Sequence, residues 1–310
     1  SEMCIRDRYT FGIKHTTADN MTTMLQGSQV GPTPTFFFDY SVKDLRRDIT
    51  CCPFQWTKGV QTLQSFKSWS FGKLRYEWTN RMIPTGNDDG INRQYMRYAD
   101  IVLMRAELEN ELNGASAAVP YLTKIRNRAF ATSDRATEVT AYVAEAALSK
   151  EKMFQAIVDE RAYEFAGELI RKADLIRWGM LKSKMDETKN KMKAIVSLTD
   201  YDSKHPYSQL SGHAYYKMSA YTWTRNGIET TEKDAKLNLY GLNYGEMDIN
   251  PEGYTEFSDS KGEASTWIKD NALEDVIDYL YVRDPDKYQY WPIFNVNLND
   301  NPNLSNYEWY

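Results

Sequence analysis

Residues 95–131, Tyr95-Met-Arg-Tyr-Ala-Asp-Ile-Val-Leu-Met-Arg-Ala-Glu-Leu108 running on to Lys124-Ile-Arg-Asn-Arg-Ala-Phe-Ala131, carry the clearest periodicity in the chain. They read as two amphipathic helices joined at Asn113-Gly114. On the first, Tyr98, Ile101, Val102, Arg105, Leu108 and Leu112 fall at helical spacings of three and four, with Ala99 and Ala106 as small packing positions. On the second, Ala118, Tyr121, Leu122, Ile125 and Ala129 repeat the pattern. Gly114 supplies the helix stop, and Pro120 is expected in the first turn of the following helix, where its missing N–H costs nothing. The pair has the size of a tetratricopeptide-type helix hairpin.

Working outward, the 310 residues are enough for a sizeable core, and 42% of them are hydrophobic. The formal net charge is −5, from 38 Lys and Arg against 43 Asp and Glu. No dense Lys/Arg cluster interrupts that balance, which argues against a nucleic-acid ligand and against a polybasic membrane patch. No apolar run approaches the roughly eighteen residues a spanning helix needs. Cys4, Cys51 and Cys52 are read as free thiols, because adjacent cysteines pair only with strain. His15, His205 and His213 lack the spacing of zinc ligands, so no metal and no cofactor is expected. The aromatic content is high, with 8 Trp, 22 Tyr and 12 Phe.

The stretch from Thr10 to Asn92 is punctuated by Gly and Pro and suggests a few short strands or hairpins. Within it Trp56, Trp69, Tyr76 and Trp78 are interleaved with Gln55, Lys58, Gln61, Arg75 and Asn80. Rings among amide and cationic side chains suit the stacking of a sugar face while its hydroxyls are hydrogen-bonded, which makes these four the candidate ligand-binding residues. The competing reading is that they pack the loops onto the helices, the commoner fate of large rings.

Beyond the hairpin, Ser149 is an N-cap candidate for a helix lined by Phe154, Ile157, Val158, Ala162, Phe165 and Leu169. Charges at helical spacing overlie it, among them Glu160, Arg161, Glu164, Glu168, Asp174 and Arg177. Glu160 and Glu164 could form a general acid/base pair, but a structural role in ion pairs between helices is the stronger reading. Residues 182–270 break the helical pattern and suggest a Lys-rich solvated stretch followed by a long irregular, Tyr-rich excursion. Residues 248–259 partly imitate a calcium loop, with Gly253 in sixth position, but Asp259 stands where a bidentate Glu belongs. Asn271-Ala-Leu-Glu274 resembles a capping box opening a last helix, and the tail from Tyr290 is expected to be extended. The signatures G-x-S-x-G, H-E-x-x-H, G-x-G-x-x-G and the P-loop are absent from the sequence.

Several of these segments also resemble a known family. Arg97-Tyr-Ala-Asp-Ile-Val-Leu-Met-Arg-Ala-Glu107, Ile125-Arg-Asn-Arg128, Glu160-Arg161, Glu164-Phe-Ala-Gly-Glu168 and Asp174-Leu-Ile-Arg-Trp-Gly179 are similar, in order and spacing, to the C-terminal half of the SusD/RagB outer-membrane lipoproteins of Bacteroidetes. Trp291-Pro-Ile293 and Asn301-Pro-Asn-Leu304 resemble that family's closing segment. Phe294 departs from the Pro usual there, and Ser305-Asn-Tyr-Glu-Trp309 departs from the usual ending. The resemblance implies a mainly α, SusD-like fold of tetratricopeptide-type helix hairpins decorated with long loops and short β-hairpins.

As to function, the resemblance implies a non-enzymatic nutrient-binding protein on the cell-surface face of the outer membrane. Such a protein caps a SusC-like TonB-dependent transporter and delivers an oligosaccharide, or in some members a peptide. It meets the membrane only through a lipid anchor. Residues 9–310 are then expected to be the C-terminal part of a single domain whose N-terminal part and lipoprotein signal lie outside this chain, with residues 1–8 a non-native tail. The alternatives are a carbohydrate-active enzyme of helical fold and a tetratricopeptide-type scaffold. The family shares no ligand motif, so Trp56, Trp69, Tyr76 and Trp78 stand on composition and position alone.

Overall fold

A computed structural model describes residues 12–23, 27–28, 30–66, 68–84, 94–225, 227–246, 249–258, 268, 277–290, 293–301 and 303–306. The first helix, α1 (Pro34–Asp39), is opened by a proline whose fixed φ suits a first helical position. It buries Phe37 and Phe38, so the Phe36–Phe38 run is helical. After the single turn α2 (Arg47–Thr50) come two short antiparallel ribbons. In one, β1 (Cys51–Cys52) pairs with β4 (Ser70–Phe71); in the other, β2 (Phe54–Thr57) pairs with β3 (Val60–Leu63). The β2–β3 turn is Lys58-Gly59, both at positive φ (52° and 74°), as a two-residue turn matched to strand twist requires. A 3₁₀ turn, Tyr76–Trp78, follows.

The hairpin consists of α3 (Tyr98–Asn113) and α4 (Ala115–Ala129). Gly114 sits between them at φ 87° and ψ 169°, a conformation that side-chain-bearing residues adopt only with strain. The register differs from expectation in two ways. Because α4 begins at Ala115, Pro120 lies inside the helix and not in its first turn. Pro120 and Ser116 are both exposed, so the carbonyl that Pro120 cannot bond is left on the solvated side. The buried face of α3 is Ala99, Val102, Leu103 and Ala106, whereas Tyr98, Ile101, Leu108 and Leu112 are exposed. Both faces of α3 carry apolar residues at helical spacing, and size decides between them. Ala99 and Ala106 let α3 approach the neighbouring helices closely, with Ala118 small on the α4 side.

A π-type turn (Ala136–Ala141) and α5 (Tyr142–Ala146) lead to α6 (Lys150–Phe165), where Ser149 Oγ accepts the Lys152 backbone N–H at 3.1 Å as the sequence suggests. Leu103, Leu122, Ile125, Met153, Ile157 and Phe165 close the helical core. Then come α7 (Arg171–Arg177) and α8 (Leu181–Ser197). The Lys-rich stretch is therefore a helix, which buries Leu181, Met192 and Ile195 and also Lys191, paired with Asp39 at 2.8 Å and Glu187 at 2.7 Å.

The Tyr-rich excursion is also regular. Strands β5 (Tyr215–Arg225) and β6 (Ile228–Tyr240) form one long antiparallel hairpin from Tyr215↔Tyr240 to Arg225↔Ile228, with a register shift between Ser219 and Tyr221. The short β7 (Thr255–Glu256) adds to β5 at the base. Long, half-exposed strands carry Ser, Thr, Asn and Lys on the wet face, and that composition imitates a loop. The tail holds a helical turn, α9 (Asn295–Asp300), in place of an extended run. Asn271–Glu274, Trp291 and Pro292 lie outside the described residues. The structure is thus mainly α-helical with small β-hairpins, as expected from the sequence.

Candidate functional site

The charged residues of the family-like segments form two largely buried networks between helices. Glu160 is fully buried and accepts Arg46 Nη1 at 2.8 Å and Arg126 Nη1 at 2.7 Å. One turn on, Glu164 accepts Arg97 Nη1 at 2.6 Å, Arg128 Nη2 at 2.7 Å and Arg46 Nη1 at 2.9 Å. Arg97 also grips Glu168 through two N–H groups, at 2.8 and 2.9 Å. Arg161 joins Asp100 to Asp174, each at 2.7 Å, and Arg177 carries the chain of contacts on to Glu107. Trp178 completes it by donating its indole N–H to Glu107 at 2.9 Å. Burial alone would raise the Glu164 carboxyl, but Arg97 and Arg46 outweigh it and hold the group below the usual glutamate range. Glu160 and Glu164, so clamped, are not an acid/base pair facing a substrate.

The four aromatic candidates separate sharply. Trp56 and Tyr76 are 0% exposed and share an interior cluster with Ile13, Met21 and Phe54. His15 lies against both, with ring centroids 6.2 Å from Trp56 and 5.5 Å from Tyr76. Trp69 is buried edge-on between Phe37 (4.9 Å) and Phe66 (5.3 Å). These three rings are core, which corrects the expectation that they meet a ligand: Trp56 on β2, Trp69 just before β4 and Tyr76 in the 3₁₀ turn are each covered by neighbouring segments and keep no free ring face. Trp78 alone is half exposed, at 51%.

Trp78 is held firmly all the same. Its side chain lies beside Tyr221 of β5, and the Arg75 guanidinium lies 4.8 Å from its ring centroid. Arg75 is anchored from behind by the carbonyls of Gly72 (2.7 Å) and Ile49 (3.1 Å). Gly72 is required there, because a Cβ would stand 2.2 Å from both the Ile49 carbonyl oxygen and Cys52 Sγ. Burial, with the charge of Glu77 adding to it, pushes the Tyr221 hydroxyl above its ordinary pKa, so it remains a neutral phenol.

Arg75 and Tyr221 also line a cleft of about 460 Å³ between the short ribbons and β6. Its polar lining includes Arg47, Gln61, Lys236, Asn238 and Asn243, with Phe37 and Phe54 as apolar walls. Gln61 is fixed by accepting the Leu237 backbone N–H at 3.0 Å, and Asn243 accepts Arg47 Nη1 at 2.8 Å. Amides, cations and rings around a cleft of this size suit a small polar ligand with one apolar face. Gln61 and Arg75 already stood beside the aromatic residues in sequence, whereas Tyr221, Lys236 and Asn238 reach the cleft through the long hairpin, and only its strand alternation could have pointed to them.

Among the described residues no group of three His, Cys, Asp or Glu side chains is placed to hold a metal ion. Asp248 and Asp259 of the calcium-like segment lie outside those residues. Among them, too, no helix is long and apolar enough to cross a membrane. Cys51 and Cys52 are buried free thiols.

The structure is thus a helical scaffold tied by buried ion pairs, with an aromatic- and amide-lined cleft on its decorated side. The chain belongs to the SusD family, whose profile matches residues 59–310; members of this family are non-catalytic binding proteins. It is 48% identical over 90 residues to the SusD-like protein P25 of Formosa agariphila, a match covering 29% of this chain and 16% of that protein. A SusD homolog from Bacteroides thetaiotaomicron superposes with a TM-score of 0.44 at 22% identity, over 56% of this chain and 37% of that one. Both matches span well under two thirds of the relative's length.

Proposed function

We propose that this chain is part of a cell-surface nutrient-binding protein that captures oligosaccharides at the cleft beside Trp78 and passes them to a SusC-like TonB-dependent outer-membrane transporter. The observation that carries the reading is the half-exposed Trp78 ring, covered on one side by the Arg75 guanidinium, next to a cleft that Arg75 and Tyr221 line together with Gln61, Lys236 and Asn238. A rigid ring offers a flat apolar face to the C–H face of a sugar, and the amides and cations are there for its hydroxyls. Family membership supports the location on the outer membrane and the transporter as partner, with a lipid anchor as the tie to the membrane. Binding of this kind leaves much of the ligand in water, so affinities near the micromolar range are expected, with no turnover.

Affinity electrophoresis across a panel of neutral and acidic polysaccharides tests it. The expected result is retardation of the wild type by at least one glycan and loss of most of that retardation in Trp78→Ala, at unchanged melting temperature. Equal retardation of Trp78→Ala and wild type would sink this site, and release of shorter oligosaccharides on incubation would replace binding with catalysis.

A further inference from the structure

A second cleft, of about 480 Å³, lies between α1, the α6–α7 corner and α8. Its size is within the range of small-molecule sites, roughly 300–1,000 Å³. Phe36, Phe71 and Tyr163 supply its rings. Phe36 and Tyr163 are tilted by 31° with centroids 6.2 Å apart, and the Tyr163 hydroxyl is fixed by donating to the Asp39 carbonyl at 2.9 Å. Gly167, at φ 78°, lets Phe71 lie close against the end of α6, because a Cβ there would meet that ring at 3.1 Å.

The charges of this cleft balance, with Asp39, Asp159, Glu187 and Asp202 facing Arg171, Lys184, Lys191 and Lys204. Most of them are mutually satisfied. Lys191 holds Asp39 and Glu187, Lys184 holds Glu187 at 2.8 Å, and His205 lies 3.0 Å from Asp39 and 2.7 Å from Asp202.

Two groups are not closed in this way. Asp159 accepts Gln155 Nε2 at 2.7 Å, and its nearest cation, Lys184, is 4.0 Å away. Arg171 donates Nη1 to the Val158 carbonyl at 2.8 Å but forms no ion pair among the described residues. Burial is the leading influence on both, raising the Asp159 carboxyl and lowering the Arg171 guanidinium, the mark of charges left without full compensation. Asp159 and Arg171 feel each other's charge but form no direct ion pair with one another, and partly buried charges left this way cost stability unless something else uses them.

We propose that this second cleft binds a neutral, hydroxyl-rich ligand, a hexose unit of an oligosaccharide, whose adjacent hydroxyls bridge Asp159 and Arg171 while its C–H face lies on Phe36 and Tyr163. A sugar hydroxyl both donates and accepts, so one diol donates to the Asp159 carboxylate and accepts from the free N–H groups of Arg171. The balanced charge of the lining gives no preference to a charged ligand, and the rings supply the apolar face. The class of ligand rests on the glycan reading of the protein, whereas the position of the site is independent of Trp78.

Isothermal titration of the full chain with a neutral oligosaccharide that retards it on gels, repeated on Trp78→Ala, Asp159→Asn and Arg171→Gln, separates the two sites. Two classes of site are expected in the wild type. Trp78→Ala removes one class, and Asp159→Asn and Arg171→Gln each weaken the other tenfold or more. Weakened binding at an unchanged melting temperature is expected of both variants, and weakening only in step with a fallen melting temperature would mark a purely structural role and overturn the second site. A single class that vanishes in Trp78→Ala and is unmoved by the other two variants overturns the second site and leaves the first standing. Preferential binding of a zwitterionic dipeptide to the surviving class overturns the neutral-ligand assignment. Absence of any binding by the wild type overturns both sites together.

Discussion

Glu164 shows how much a single carboxylate can tie together. Its two oxygens take N–H groups from Arg46, Arg97 and Arg128, which come from three separate segments of the chain. Such a group is worth little as a free surface charge, but burial with several partners makes its ionised form part of the fold. Its folded pKa lies below the ordinary value of 4.5. The sign follows directly: the stabilisation is fully present above that ordinary value and is lost as the pH falls through the lower, folded value. The urea midpoint of the wild type should therefore drop as the pH falls below about 4.5. Glu164→Gln should make that drop shallower, by at most about 1.4 kcal/mol per pH unit for one proton, while lowering stability at neutral pH. An unchanged slope in the variant would show that other carboxylates govern acid unfolding.

For the elements, the instructive case is α3. Spacing announces a helix from Tyr98 to Asn113, but it cannot say which of two apolar faces is covered. Leu103 is fully buried, whereas Leu112 is 75% exposed. Leu103→Ala should lower the free energy of unfolding by about 2–5 kcal/mol, the transfer term plus the cavity left behind. Leu112→Ser should change it by no more than about 0.5 kcal/mol. Chemical denaturation of both variants checks the assignment, and the opposite ranking would return the buried face to Tyr98, Ile101 and Leu108. The long β5–β6 hairpin teaches a related lesson. Its Thr, Ser, Lys and Asn content suits strands wet on one side, and turn-like composition alone concealed a run of paired residues from Tyr215 to Tyr240.

Across the whole molecule, the aromatic residues divide between holding the decorated half together and facing outward. Trp56 is wholly enclosed, stacked near His15 and edge-on to Phe54 and Tyr221. Removing it should cost about 3–5 kcal/mol without altering the glycan affinity of the molecules that remain folded. Trp78→Ala should do the reverse. Melting curves and affinity gels run side by side on the two variants separate these roles, and loss of retention by folded Trp56→Ala would put that ring back among the ligand contacts. The same division holds for charge. Glu160, Glu164, Arg97 and Arg126 are consumed in holding helices to one another, while Asp159 and Arg171, from the same charged stretch, remain open to a cleft.

The sequence by itself determined the helix hairpin, its Gly114 turn, the Ser149 cap and membership of the SusD family, because each depends on local spacing or on short ordered motifs. It also singled out the aromatic stretch in which Trp78 lies. Only the tertiary structure decided that Trp56, Trp69 and Tyr76 are core, that α3 buries its small residues, and that Tyr221 and Asn238 join a cleft with Arg75. Those outcomes depend on how closely distant segments approach. A ring's exposure is set by what is laid over it, and residues nearly 150 positions apart become neighbours only when the long hairpin folds back over the ribbons.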